Sequence, residues 1–272
     1  MAEGISVTLK NEILGILQGV SKVAPAQYHV GLLKAPPPET GDCAGIEFLA
    51  GSDAPGYARK IFACDGVNWE SAANRTIQNA RPIFFDPATT GPWISPVGIA
   101  LFRDSSTAIA DFFGTVDEGT AINIGDRLKL RAGDLALRYT RTQQRTSVDF
   151  ANQIMNLLRR QNIPAPNSVF LAFGLKEPTS AGDIMEITGG TYERFEVACS
   201  STNWDTPTTG ATSNLIEFEL PWEAHTNLEI KSVAAYTQLV GGSPLWFAPI
   251  ASKSLRVGDN LRLPQGSVTF KV

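Results

Sequence analysis

The chain has 272 residues, with 23 Lys+Arg against 27 Asp+Glu and a pI near 5.3, a balance that argues against nonspecific nucleic-acid binding. Charged residues are only 18% of the chain, while 24 Gly and 17 Pro favour turn-rich β structure over helices. Three Cys without a C-x-x-C spacing and two His exclude a disulfide scaffold and most multi-histidine metal centres.

The opening, Met1-Ala-Glu-Gly-Ile-Ser6, lacks the basic and apolar regions of a secretory signal, and no apolar run reaches ~18 residues. The chain is therefore expected to be made soluble in a reducing cytosol, with no membrane partner. Ile13, Leu14, Leu17 and Val20 recur at the spacing of an amphipathic helix that Gly19 stops. Short β runs follow at 27–33, 59–63, 97–102 and 109–114, separated by Gly/Pro/Asn/Asp clusters. A closing strand alternates Leu128, Leu130, Leu135 and Leu137 with small or charged residues.

The pattern then repeats. Asn11-Glu-Ile-Leu-Gly-Ile-Leu17 recurs 141 positions later as Asn152-Gln-Ile-Met-Asn-Leu-Leu158, and Pro25 falls on Pro166. Tyr57-x-Arg59, Cys64 and Asn68-Trp69 recur 135 positions later as Tyr192-x-Arg194, Cys199 and Asn203-Trp204. Ile124-Gly-Asp-Arg-Leu-Lys-Leu130 recurs 133 positions later as Val257-Gly-Asp-Asn-Leu-Arg-Leu263, with Gly133 on Gly266. Collinear matches with a drifting offset indicate a duplication. The second helix carries Phe150, Ile154, Leu157 and Leu158, and Asn162 before Pro164 is its stop signal. Its strands are expected at 168–175, 194–198, 233–237 and 244–249, closing on Leu261, Leu263, Val268 and Phe270. The expected fold is mainly β: two tandem β-sandwich (jelly-roll-like) domains, 1–142 and 143–272, each with one N-terminal amphipathic helix. The polar run Tyr139–Arg145 joins them, and each half carries a net charge of −2.

No chemistry is duplicated with the fold. His29 falls on Phe170 and His225 on Gly91, and the chain has no phosphate loop, dinucleotide-binding glycines, Gly-x-Ser-x-Gly or His-Glu-x-x-His. Glu217 and Glu219 read as an exposed strand face, and Asp117-Glu118 as a turn. Neither pair recurs, so glycoside cleavage by paired carboxylates has no repeated site. Asp126 and Asp259 read as turn-fixing carboxylates, Cys64 and Cys199 as buried small hydrophobes, and Arg127, Lys129 and Arg131 as a solvated edge. Asn74-Arg-Thr76 is a formal sequon that carries no weight without a secretion signal. No catalytic residue, cofactor or metal is expected. Trp69 and Trp204 read as core anchors. Trp93 and Trp222, in proline-bounded segments, and the run Pro36, Pro37, Pro38 within 35–41 are the candidate protein contacts, with segment 2–8 beside them.

The repeat unit resembles a group of small virion proteins of tailed bacteriophages, labelled tail-fibre-like and about one such unit long. The resemblance rests on the helix, Tyr28-His-Val-Gly-Leu32, Gly56-Tyr-x-Arg59, Val97–Phe102 and the terminal Gly-Asp-x-Leu-x-Leu-x-x-Gly. The second copy departs from it at Gly190-Thr-Tyr192, which inserts a residue, and at Leu171-Ala-Phe173. The resemblance implies a non-enzymatic structural protein of the particle, a capsid decoration (cement) or tail-fibre-type component. It would be synthesised and assembled in the host bacterial cytoplasm, would bind other virion proteins, with a homo-oligomer as a further expectation, and would not contact nucleic acid directly. The alternative is a host-glycan-binding adhesion module of the tail, with Trp93 or Trp222 as a stacking platform.

Overall fold

The computed structural model describes residues 4–116, 121–139, 145–179 and 183–272, the side chains of 221–223 excepted. Strand β1 (Gly4–Ile5) leads into α1 (Val7–Leu14), which tightens into a 3-10 turn over Gly15–Gln18. Ser6 caps this helix, its Oγ accepting the Leu9 N–H at 3.2 Å. Ile13, Leu14 and Leu17 are fully buried. Val20 is instead 60% exposed, because Gly19 at φ 83° has already turned the chain out of the helix.

The first repeat continues through β2 (Gln27–Leu33), β3 (Lys60–Ala63), β4 (Thr76–Gln78), β5 (Ile83–Phe84), β6 (Gly98–Phe102), β7 (Ala110–Thr115), β8 (Lys129–Leu130) and β9 (Ala136–Arg138). Its main sheet runs β1-β7-β6-β2-β3 and is antiparallel throughout, while β4 pairs with β9 and β5 with β8 as separate ladders. The second repeat opens with α2 (Val148–Met155), capped by Ser147 Oγ on the Phe150 N–H at 3.1 Å, and a 3-10 turn over Asn156–Arg159. It continues through β10 (Ser168–Gly174), β11 (Phe195–Ala198), β12 (Ala211–Ser213), β13 (Phe218–Glu223), β14 (Leu228–Tyr236), β15 (Trp246–Leu255), β16 (Asn260–Leu263) and β17 (Thr269–Lys271). Its main sheet runs β11-β10-β14-β15, with β12–β17 and β13–β16 as ladders.

The duplication extends to register. Leu32 pairs with Ile99 and Ile99 with Gly114 in the first repeat, as Phe173 pairs with Val233 and Val233 with Ala248 in the second. Thr76 faces Arg138 as Ala211 faces Lys271, and Ile83 faces Leu130 as Phe218 faces Leu263. A one-residue slip would turn every side chain of a strand to the other face, so the two cores hold both copies in one register.

Four sequence expectations are corrected. The strand expected at 233–237 is β14, which runs from Leu228 to Tyr236. Each closing strand is two short strands separated by a turn, with Gly133 and Gly266 at φ 85° and 75°. The second helix stops at Arg160 in the left-handed conformation (φ 62°), ahead of Asn162. Beside the main sheet of each expected sandwich, the remaining strands do not form one continuous sheet but separate two-stranded ladders, β4–β9 and β5–β8 in one repeat and β12–β17 and β13–β16 in the other.

Residue contacts divide the chain into two compact units, and neither is continuous. One comprises Met1–Leu9, Val23–Thr140 and Asn152–Asn162, the other Lys10–Lys22, Arg141–Ala151 and Ile163–Val272. The 142/143 boundary falls outside the described residues. In the first unit, one face of the main sheet packs Leu33, Ala100, Phe102, Ala110 and Phe113 against Cys43 and Ile46 of the β2–β3 connection. On its other face, Tyr28 meets Phe112 edge-on at 5.7 Å, and Phe62 meets Trp69 at 5.3 Å. In the second unit, Trp246 of the main sheet stacks on Phe270 of a ladder at 6.0 Å, and Trp204 contacts both Phe218 and Phe270. No helix among the described residues is long and apolar enough to cross a membrane.

Candidate contact surfaces

The repeated Tyr-x-Arg belongs to a polar clamp that is built once in each unit. In the first, Arg59 binds Glu47 through two parallel bonds, Nε to Oε1 at 2.7 Å and Nη2 to Oε2 at 2.5 Å. Such a fork is among the stronger polar contacts a protein makes. Tyr57 donates its hydroxyl to Glu47 Oε1 at 3.0 Å and accepts the Leu32 N–H at 2.9 Å. The guanidinium lies 3.6 Å from the centroid of the Phe102 ring. Its remaining N–H groups hold the carbonyls of Asp104 and Thr107, both at 2.8 Å, in the β6–β7 hairpin.

The second unit repeats each part. Arg194 binds Glu186 at 2.9 and 2.8 Å, and Tyr192 donates to Glu186 and accepts the Phe173 N–H, both at 3.1 Å. Arg194 lies 3.6 Å from the Tyr236 ring centroid and holds the carbonyls of Gln238 and Gly241 in the β14–β15 hairpin. Burial, with the adjacent glutamate second in the first clamp, pushes both tyrosine hydroxyls well above their ordinary range, so they remain proton donors. A half-buried carboxylate–guanidinium pair engaged in this way ties its loops together.

The two clamped hairpins differ at their ends. The first carries Asp104-Ser-Ser-Thr107 and the second Leu239-Val-Gly-Gly242, where Leu239 is 45% and Val240 82% exposed. Val240 and Leu239 border a shallow depression of about 360 Å³ floored by Tyr192 and Arg194. The first unit has a larger cavity of about 790 Å³, lined by Leu32 and Ile99 of the main sheet, Leu135 and Leu137, with the exposed Arg127 and Arg131 also in its wall.

The sequence candidates fall in different places. Trp93 is a core residue, 1% exposed, with its indole N–H on the Pro55 carbonyl at 3.0 Å and its ring edge-on to Tyr57 at 5.9 Å. Trp222 lies in β13, and its side chain is outside the described residues. Pro36 and Pro38 are exposed and Pro37 is buried, and the run leads into a turn closed by the Gly41 N–H on the Pro38 carbonyl at 2.9 Å. Trp69 and Trp204 are fully buried. Arg127, Lys129 and Arg131 are solvated, and Glu219 spends its charge on Arg262 at 2.7 Å. The Asp259 carboxylate accepts the Arg256 N–H at 2.8 Å and fixes its turn. Cys64 is buried and Cys199 half-buried. Asp117-Glu118 lies outside the described residues. Among the described residues, no group of three His, Cys, Asp or Glu is placed to hold a metal.

Two duplicated features escaped the sequence reading. Glu47 and Glu186 stand 139 positions apart, off the local offset on either side, because the β2–β3 connection has changed length between copies. Asn79 and Asn214 stand at the regular 135. Their buried amides bind Arg81 and Arg131 carbonyls in one repeat, and Ile216 and Pro264 carbonyls in the other. Asn79 Oδ1 accepts the Leu135 N–H as Asn214 Oδ1 accepts the Val268 N–H, both at 2.9 Å. A search of the matched 135-offset segment for shared polar residues would have found this pair.

The model of the family described as podophage GP4 fiber I protein gp80 matches the chain twice in succession, over residues 4–138 and 145–271. No curated protein matches it. The two matched segments carry the two clamps, the two buried asparagines and the two sets of strand registers, so the chain belongs to the podophage GP4 fiber I protein gp80 family as a tandem duplicate.

Proposed function

We propose that this chain is a non-catalytic attachment protein of a tailed-phage particle, acting as a tail-fibre-type component or capsid decoration (cement) bound to other virion proteins. Membership of a podophage fibre-protein family supports a structural role in the virion. The observation that carries the attachment reading is the clamp built twice around Glu47 and Glu186, which ties a surface hairpin to the main sheet in each repeat. In the second repeat the held hairpin presents Leu239 and Val240 to solvent beside a depression, the kind of apolar tip that a neighbouring protein covers. The exposed Pro36 and Pro38 are a second contact candidate. The covalent border of the repeats is taken at 142/143.

The host-glycan alternative asks for an exposed aromatic platform. Among the described residues Phe84, at 44%, is the one aromatic with such exposure, and the Lys129 ammonium lies 5.2 Å from its ring. Protein contact is the better supported reading. The test is Leu239→Asp with Val240→Asp, introduced into the phage. The expected result is an unchanged melting temperature of the isolated protein and loss of the chain from purified particles. Full occupancy would move the attachment surface elsewhere.

A further inference from the structure

Asn11 and Asn152 occupy the same position of the two repeats, and within the compact units each serves the repeat it does not belong to. In the unit formed by Met1–Leu9, Val23–Thr140 and Asn152–Asn162, Asn152 Oδ1 accepts the Arg75 N–H at 2.8 Å. In the unit formed by Lys10–Lys22, Arg141–Ala151 and Ile163–Val272, Asn11 Oδ1 accepts the Gly210 N–H, also at 2.8 Å. Arg75 and Gly210 are the same turn residue, both at positive φ, with 65° and 75°. The N–H of such a residue faces away from the hairpin ladder and needs an acceptor from elsewhere.

The neighbouring bonds keep this crossed pattern. Asn156 Oδ1 accepts the Ala72 N–H at 3.0 Å, and Arg159 bonds Ser71. Gln18 Nε2 donates to the Trp204 carbonyl at 3.2 Å. Beyond the helices, Asn162 Oδ1 accepts the Ala24 N–H, and Ser21 Oγ accepts the Ala165 N–H, both at 2.9 Å. Lys22 and Ile163 exchange a pair of backbone bonds at 2.9 Å. The apolar ends of the helical segments, Ile16 and Leu17 in one unit and Leu157 and Leu158 in the other, are at most 1% exposed.

We infer that the two repeats are a helix-exchanged pair in which each β-body is completed by the helical end of the other repeat. Exchange of an identical element between copies is the pattern of domain swapping. The covalent join between the repeats holds the two copies at high effective concentration, so the chain closes the exchange on itself rather than with a second molecule. The partner each repeat requires is therefore a second copy of that repeat, and the fused chain behaves as one obligate assembly.

Hydrogen exchange on the full-length chain tests this. Asn152→Ala is expected to speed amide exchange roughly fivefold in 75–78 and 136–138, in the first repeat, the factor one hydrogen bond supplies. Segments 210–213 and 269–271 are expected to stay unchanged, and Asn11→Ala to do the mirror image. Changes confined to the substituted residue's own repeat would overturn the inference. Independently of any variant's folding, a protease site inserted within 140–144 of the full chain and then cut is expected to leave two fragments that co-elute until denaturant is added. Fragments that separate as folded monomers would equally overturn it.

Discussion

Glu47 shares its two oxygens among Arg59 and Tyr57, and the Glu47 and Arg59 side chains are only 17% and 11% exposed. Glu47→Gln removes the charge but keeps the shape, leaving a shielded guanidinium without its counter-ion. Loss of hydrogen bonds to a charged group is expected to cost about 2 kcal/mol by urea denaturation. Glu186→Gln should act alike on the second repeat. Tyr57→Phe should cost about 1 kcal/mol or more, since the Leu32 N–H also loses its acceptor. The thiols give a pH prediction. Burial pushes Cys43 and Cys64 up to about 12 and Cys199 up to about 11. A folded-state value above the ordinary ~8.5 means that the native state holds these protons more tightly than the unfolded chain. The stabilisation is complete below about pH 8.5 and drains away as pH climbs towards the folded-state values. The denaturation midpoint is expected to fall steadily between about pH 8.5 and 11. Iodoacetamide at about pH 8 should label half-buried Cys199 before the other two. A pH-independent midpoint over that interval would contradict the assignment.

At the scale of elements, the β3–β4 and β11–β12 connections end in equivalent two-residue turns, Asn74-Arg75 and Thr209-Gly210, with all four residues at positive φ. Asn-Gly is the favoured pair for this turn, so each copy carries half of it. Thr209 is exposed and β-branched at φ 51°, a conformation that Asn adopts at far lower cost. Thr209→Asn is expected to raise stability by about 0.5–1 kcal/mol, read as a shift in denaturation midpoint; a destabilised variant would show that Thr209 makes a contact that outweighs its backbone strain. Elements of this kind mark the limit of what the sequence made legible. Helices and long strands stood out, because Ile13, Leu14, Leu17, Val30 and Leu32 carry the period of their element. Strands β4, β5, β12 and β13 are short or, in β13, interrupted by Pro221, and they pair with partners far along the chain, so no local period announces them. Asn11 and Asn152 were visible as a matched pair, but their acceptor role depends on which repeat receives the helix. That is settled by packing, which sequence spacing does not encode. The Tyr-x-Arg half of the clamp was legible for the same reason that Glu47 was not: one kept its offset and the other lay beyond a loop of altered length.

For the molecule as a whole, duplication conserved what holds the β-bodies together and released what differs between them. Tyr28 donates to Asp111 at 2.7 Å, and Arg103 binds the same carboxylate at 2.7 and 2.8 Å, with Asp111 only 2% exposed. The second repeat has Val169, Leu245 and Thr237 at those places, and it presents an apolar hairpin where the first presents a polar one. Conserved frames with divergent ends accord with the proposed attachment role, in which the two repeats would meet two different surfaces of one particle. Mass spectrometry and reconstruction of purified, intact particles test that claim most directly. The account predicts the chain at a fixed copy number, each copy contributing two repeat bodies in contact with other virion proteins, with the 237–242 hairpin inside a contact. Particles that carry the chain only in trace, variable amounts, with neither repeat touching another virion protein, would contradict it.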